Sequence, residues 1–369
     1  MKKRILGYDI ARALAVIGMI IVNFKVVMGA EQHGPHWLLT FASLFEGRAA
    51  ATFVVLAGAG LSLLSYRARQ NHDLIALGRN RVSLLKRALF LFVVGLLYTP
   101  LWPADILHFY GIYLTVGALV LAVSNRRLWQ LAGAFTLGFV ILLFTFEYEA
   151  GWDWQSLSYE GFWTPAGFVR NLFFNGFHPV FPWTAFLLIG MVLGRQDLRN
   201  LAVRRRVMVW GVGVAVVAEA VSWILVKTLS AGAGPVGVEL VSDLFGTAPM
   251  PPMPLYIIAG SGTACAVIAA CVALGERFAE ASWLKPWVAT GQLALTLYVA
   301  HVVLGMGGLE ALGWLEHQTP TFAIGSALVF SALSILFAHL WRKRFKRGPL
   351  EWVMRRSIFD LKNRKRFLF

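Results

Sequence analysis

The sequence predicts an all-α integral membrane protein, a polytopic bundle of about ten transmembrane helices with both termini cytoplasmic. Three observations lead there. The chain is 58% hydrophobic with a mean hydropathy of +0.64, above the roughly half apolar content of a soluble domain. Its apolar residues come in repeated runs of about 20, each long enough at ~1.5 Å per residue to cross a ~30 Å hydrocarbon core. The basic residues fall on alternate loops. A β-barrel would show short alternating segments, and an open sheet would leave backbone groups unsatisfied in lipid.

The first span, 8–29, follows the basic start "MKKR". Asp9 and Arg12 interrupt its beginning, and its apolar part is long enough to cross, so it reads as a retained helix rather than a signal peptide. The other spans are 47–66, 88–102, 105–123, 128–147, 179–194, 207–228, 255–275, 287–307 and 321–341. The third and sixth are short, as tilted or partly re-entrant segments would be. Of the 34 Lys and Arg, all but Arg12, Lys25, Arg48, Arg170 and Lys227 lie in the two tails and the even-numbered loops. The odd-numbered loops carry acidic residues such as Glu31, Glu46, Asp105, Glu149 and Glu310. This is the positive-inside pattern. The net charge of +15 is therefore a topology signal, and no nucleic-acid partner is expected.

Residues 1–341 form one transmembrane domain, and 342–369 a basic cytoplasmic tail that can meet anionic membrane lipid. Two outward loops are long. Residues 148–178 are rich in aromatics, suited to an interfacial belt or to stacking on sugars. Residues 229–254 ("AGAGPVG", "APMPPMP") are rich in Gly and Pro and read as irregular. Cys265 and Cys271 are six apart, on different faces of one helix, and read as two buried thiols.

Polar groups at membrane depth carry the functional signal, because each charge there costs at least ~2.5 kcal/mol on insertion scales and so faces the bundle interior. Asp9 and Arg12 share a helical face at the inner end of the first span; they form an ion pair or line an entrance for an anionic cofactor. Asn23 lies toward the outer end of the same helix. Of the eight histidines, all except His72 and His339 fall at or near the outward side. His33 and His36 follow the first span, His108 opens the fourth after Asp105, and His178 opens the sixth in "GFHPVFPW" before Trp183. His317 lies in the last outward loop, and His301 lies within the ninth span. Histidine is the side chain best suited to moving a proton near neutral pH. Glu219 and His301 lie at comparable depths and suggest a pair. Asp105 and His108 make a single (i, i+3) carboxylate–imidazole pair with no accompanying HExxH or ExxH motif, so no metal is expected. No P-loop, GxSxG or dinucleotide fingerprint occurs.

These residues resemble a family. "GYDIARALAVIGMIIVNF" is similar to the first helix of the transmembrane acyltransferases typified by heparan-α-glucosaminide N-acetyltransferase, with Asp9, Arg12, Met19 and Asn23 on the pattern. "HGPHW" followed by "TFVVLAGAGLSLL" matches the next loop and helix. "DILHFYGIY", "FHPVFPWTAFLLIGMVLGR", "GQLALTLYVAH" and "RGPLEWVMRR" resemble the bacterial branch, so the likeness runs along nearly the whole chain. One departure is "FEGRAAATF", which lacks the family's Pro before the second helix.

The resemblance implies transfer of an acyl group, usually acetyl, from cytoplasmic acetyl-CoA or another acyl-CoA to an acceptor on the other side of the membrane. It implies a catalytic His in the first outward loop. Aligning on Trp37 places that role at His36, with Asn23 as its partner and His33 as the alternative. His36 would deprotonate the acceptor or carry the acyl group, and Asn23 would hydrogen-bond the thioester carbonyl. Asp9 and Arg12 would line the CoA entrance, and Asp105, His108, His178, Trp183 and His301 the acceptor pocket. The acceptor expected for an inner (plasma) membrane protein is an envelope sugar or glycolipid, and the reading is compatible with a homodimer. The rival class is a transporter or permease for a lipid-linked or small polar solute, which an inverted repeat would favour; none is visible.

Overall fold

The computed structural model describes residues 4–30, 34–154 and 156–363 and is built almost entirely of helix. In chain order the helices are α1 (Leu6–Val27), α2 (His36–Ser43), α3 (Arg48–Gln70), α4 (Leu74–Tyr98), α5 (Leu107–Leu119) and α6 (Asn125–Thr145). A two-stranded antiparallel hairpin follows, β1 (Trp152–Asp153) and β2 (Ser158–Tyr159). Then come α7 (Pro165–Arg170), a π-helical turn π1 (Asn171–Asn175), α8 (Val180–Leu193), α9 (Leu201–Leu229), α10 (Pro235–Phe245) and α11 (Pro254–Arg277). The last elements are α12 (Leu284–Gln292), α13 (Ala294–Ala300), π2 (His301–Met306), α14 (Gly307–Ala311), α15 (Pro320–Arg344) and α16 (Pro349–Asn363).

Each expected span coincides with a helix or, for the ninth, with a broken run of helices, but not all are long and apolar enough to cross a membrane. Among the described residues seven are, or eight if the bent pair α7–π1 and α8 counts as one span. The difference from ten lies in α4 and α5. Arg79, Arg81, Lys86 and Arg87 break the apolar run of α4. The 13 residues of α5 rise only about 20 Å. The chain is thus an all-α, multi-pass membrane protein. Of the α1 window 61% is buried, against 17% in α6 and in α9. The exposed large apolar side chains of α9 are Val, Ile, Leu and Trp, among them Trp210 and Trp223, and they form the kind of surface that lipid solvates.

Several loops are more ordered than the sequence suggests. The stretch expected to be irregular, 229–254, carries α10, started by Pro235 at its first turn. The ninth span is broken: Leu293 (φ −106°, ψ 20°) separates α12 from α13. Helix starts are capped where sequence rules place caps. Asp73, Ser124 and Thr319 accept from Ala76, Arg127 and Phe322 N–H groups at 2.8, 3.4 and 3.3 Å.

The chain divides into two compact units. The first comprises Met1–Phe53, Leu198–Met208 and Ala266–Phe369; the second comprises Val54–Asp197 and Val209–Cys265. In the first, α1 packs against α12, α13 and α15, and α13 against α16. In the second, α4 packs on α5, α6 on α8, and α5 on α8. The second unit also has a seam of small residues. A Cβ on Gly58 would sit 1.9 Å from the Leu187 carbonyl oxygen, and one on Gly190 would sit 2.1 Å from that of Val55. Backbones that close are how membrane helices gain packing when no hydrophobic drive separates them from lipid. The Ser62 hydroxyl adds a hydrogen bond to the Met191 carbonyl at 2.6 Å.

Candidate active site

In the first turn of α1, Asp9 is buried and held from several sides. Arg4 donates to both its oxygens, Nε to Oδ2 at 2.7 Å and Nη2 to Oδ1 at 2.8 Å. Arg12 adds Nη1 to Oδ1 at 3.1 Å, and Gln292 reaches Oδ2 at 3.5 Å. The hydrogen bonds to Asp9 raise the Arg4 pKa against the opposing effect of burial. Arg12 also reaches the Gly291 carbonyl at 3.4 Å. Gly291 has to be glycine, because a Cβ there would lie 1.8 Å from the Asp9 carbonyl oxygen. The structure therefore joins Asp9 to Arg12 as the sequence suggests, and adds Arg4. Arg4 is masked in the sequence by belonging to the basic N-terminal run.

Fourteen residues further along α1, and so about 21 Å along its axis, Asn23 meets His301. The amide Nδ2 lies 3.0 Å from His301 Nε2. The other ring nitrogen, Nδ1, is bonded to the Tyr298 carbonyl. A carbonyl only accepts, so Nδ1 carries the hydrogen. In the neutral ring Nε2 then presents its lone pair, and the Asn23 amide donates to it. His301 is fully buried and is the first residue of π2, directly after the short α13. The result is an imidazole fixed in one tautomer, with its basic nitrogen touching a two-hydrogen amide donor. That is the equipment for accepting a proton and stabilising an oxyanion.

The second unit holds the other histidine cluster. Asp105 Oδ2 accepts from the Leu107 and His108 N–H groups at 2.9 and 3.2 Å and from His108 Nδ1 at 3.0 Å. The carboxylate thus caps α5 and orients the ring. Gly95 admits this arrangement, since a Cβ there would lie 2.2 Å from His108 N. The Tyr113 hydroxyl donates to the His178 carbonyl, and the His178 ring lies 4.6 Å from that of Trp183 and 6.1 Å from that of Phe109. His108 Nε2, His178 Nδ1 and Trp183 Nε1 are buried with no hydrogen-bond partner among the described residues. Buried polar atoms are normally satisfied, so the cluster is chemically open toward a polar group.

Other expected site residues have different partners or surroundings. His36 opens α2 with an exposed side chain, and Asn23 has His301 as its bonded partner. His33 lies outside the described residues. Glu219 accepts from Thr247 at 2.8 Å, whereas the Nε2 of His301, its expected partner, faces Asn23. Lys25 pairs with Glu46 at 2.6 Å. Among the described residues no group of three or more His, Cys, Asp or Glu could hold a metal ion. Cys271 is buried and Cys265 partly so, both free.

The family of heparan-alpha-glucosaminide N-acetyltransferase catalytic domains matches residues 4–229, more than half of the chain. A second family, described as a protein of unknown function (DUF418), matches residues 192–359. No curated protein matches the chain. Asn23, His108 and His178 fall in the first match, and His301 in the second. The chain belongs to the heparan-alpha-glucosaminide N-acetyltransferase-like family of transmembrane acyltransferases.

Proposed function

We propose that the protein is an acyl-CoA-dependent acyltransferase of the plasma (inner) membrane. It moves an acyl group, acetyl in the first instance, from cytoplasmic acetyl-CoA to a hydroxyl or amine of an envelope sugar or glycolipid on the outer side. The observation that carries this reading is the Asn23–His301 pair at 3.0 Å, with its imidazole fully buried, in a chain of this family. In the proposed step the acceptor takes the place of the Asn23 amide at His301 Nε2, which removes its proton. The nucleophile adds to the thioester carbonyl, and Asn23 donates to the developing oxyanion. Collapse expels the CoA thiolate, which takes the proton from His301.

Other residues fill supporting roles. Arg4 and Arg12 together outweigh the charge of Asp9, and this net positive site suits the CoA phosphates. Asp105, His108, His178 and Trp183 suit a hydroxyl-bearing acceptor group. Their unpartnered ring nitrogens supply an indole donor and imidazole lone pairs, and their aromatic neighbours offer faces for a sugar ring. His36, the base that the family resemblance implies, stands on the exposed start of α2 as the competing assignment.

Transfer of labelled acetyl from acetyl-CoA to an extracted pool of envelope glycans and lipids, with the protein in lipid nanodiscs, separates the two histidines. His301→Ala and Asn23→Ala are expected to lower the rate by roughly 10²-fold or more, the range for losing a general base or an oxyanion donor, with His36→Ala far milder. If His36→Ala abolishes transfer and His301→Ala retains it, the base is His36. A wild-type protein that shows neither turnover nor an acetyl-CoA-dependent thermal shift would remove the enzyme reading altogether.

A further inference from the structure

The motif "RGPLEWVMRR", 347–356, has no part in the chemistry just described, yet it makes a close and many-sided contact within the first unit. The span that carries His301 restarts at α13 after the break at Leu293. A helix that restarts exposes its first backbone N–H groups, and lipid has no water to satisfy them. Here the C-terminal segment supplies the acceptor. Glu351 Oε1 accepts from the Leu295 and Thr296 N–H groups at 2.9 and 3.1 Å, and Oε2 from the Thr296 hydroxyl at 2.6 Å. The same hydroxyl accepts from the Leu350 N–H at 3.1 Å. The carboxylate also meets the positive end of the α13 dipole.

The fit leaves no slack. A Cβ on Gly348 would lie 2.1 Å from Glu351 Oε2 and 2.9 Å from both Leu293 Cγ and Thr296 Oγ1. Gly348 permits the approach, Pro349 begins α16, Leu350 donates and Glu351 accepts. The four consecutive residues make one clasp on the break. From there α13 runs only seven residues before His301. Tyr298, whose carbonyl sets the tautomer of His301, lies within those seven.

We propose that Glu351 is a positioning residue: by closing the N-terminus of α13 it holds the His301 imidazole against Asn23, so the C-terminal segment is a working part of the transfer site. The kinetic consequence rests on the acyl-transfer reading, and the geometric one does not. The test is nitrogen NMR of the histidine side chains in [¹⁵N]His-labelled protein in bilayers, with the His301 signals assigned by their loss in His301→Asn. Glu351→Ala is expected to shift or broaden the His301 resonances while those of His108 and His178 stay in place. Glu351→Gln keeps an acceptor oxygen for the two N–H groups and restores them.

In the transfer assay Glu351→Ala should lower kcat by roughly 10²-fold, the cost of about 1 Å of misplacement, with acetyl-CoA affinity unchanged. Glu351→Gln should keep most of the rate. Should Glu351→Ala fail to fold, Glu351→Asp, one methylene too short, should give the same signature. Unchanged His301 resonances in either opened variant overturn the proposal, and so do shifted resonances with an unchanged kcat. A wild type without transfer activity would sink the enzymatic reading, and the His301 resonances alone would then decide the clasp.

Discussion

At the scale of single residues, a buried charge shows how unequal two halves of an ion pair can be. The Asp9 side chain is 3% exposed, Arg12 30% and Arg4 59%. Removing the aspartate leaves two guanidinium groups that can hydrate. Removing both arginines strands a carboxylate away from water. Arg4→Ala/Arg12→Ala is therefore expected to destabilise by about 3 kcal/mol, and Asp9→Ala by clearly less. Thermal unfolding in detergent micelles measures both, and the reverse order would contradict the burial argument. Asp9, Arg12 and Asn23 are legible in the sequence because a charge or amide in an apolar run stands out. Their partners are not. Asn23 and His301 are 278 positions apart, and no local pattern joins them, so Glu219 at similar depth looks an equally good match for His301. Asp105 and His108 are the exception, since a separation of three residues, Asp105 just ahead of α5 and His108 in its first turn, suffices to bring them together.

At the scale of elements, run length locates the helices well, because a spanning helix has to be apolar for most of its length. What it misses are departures from a continuous helix. The break at Leu293 has no proline to announce it, and π1 and π2 leave no compositional trace. α10 is hidden between Gly- and Pro-rich flanks. The α3–α8 seam is visible only in part: the spacing of Gly190 and Gly194 suggests close packing, but the partner surface at Val55 and Gly58 emerges only in the fold. Gly190→Ala and Gly58→Ala should each cost about 1–3 kcal/mol by forcing the backbones apart. Gly60 lies on the same helix with open space around its Cβ position, so Gly60→Ala should be neutral or stabilising. Comparing the unfolding midpoints of the three variants tests the seam, and a Gly60 variant as unstable as the other two would refute it.

At the scale of the whole molecule, composition and hydropathy are enough for the class, and the family match extends that to acyl transfer. Substrate-level detail is beyond them, because a membrane acyltransferase spends most of its sequence on being apolar. One feature nevertheless decides a global property. Among the described residues there are seven candidate spans without the α7–π1 and α8 pair and eight with it, the two parts being bent by 46°. An out-and-back pair such as α4 and α5 leaves the count odd or even as before. With the seven candidate spans crossing and α4 and α5 taken as such a pair, the bent pair sets the parity of the chain. If it crosses, both ends emerge on one side; if it dips in and returns, they emerge on opposite sides. The basic N- and C-terminal segments favour a shared cytoplasmic side, which requires the crossing. Side-specific reporters fused to each terminus should both read cytoplasmic. One on each side would make the bent pair a re-entrant hairpin and, with it, turn every later loop of the protein inside out.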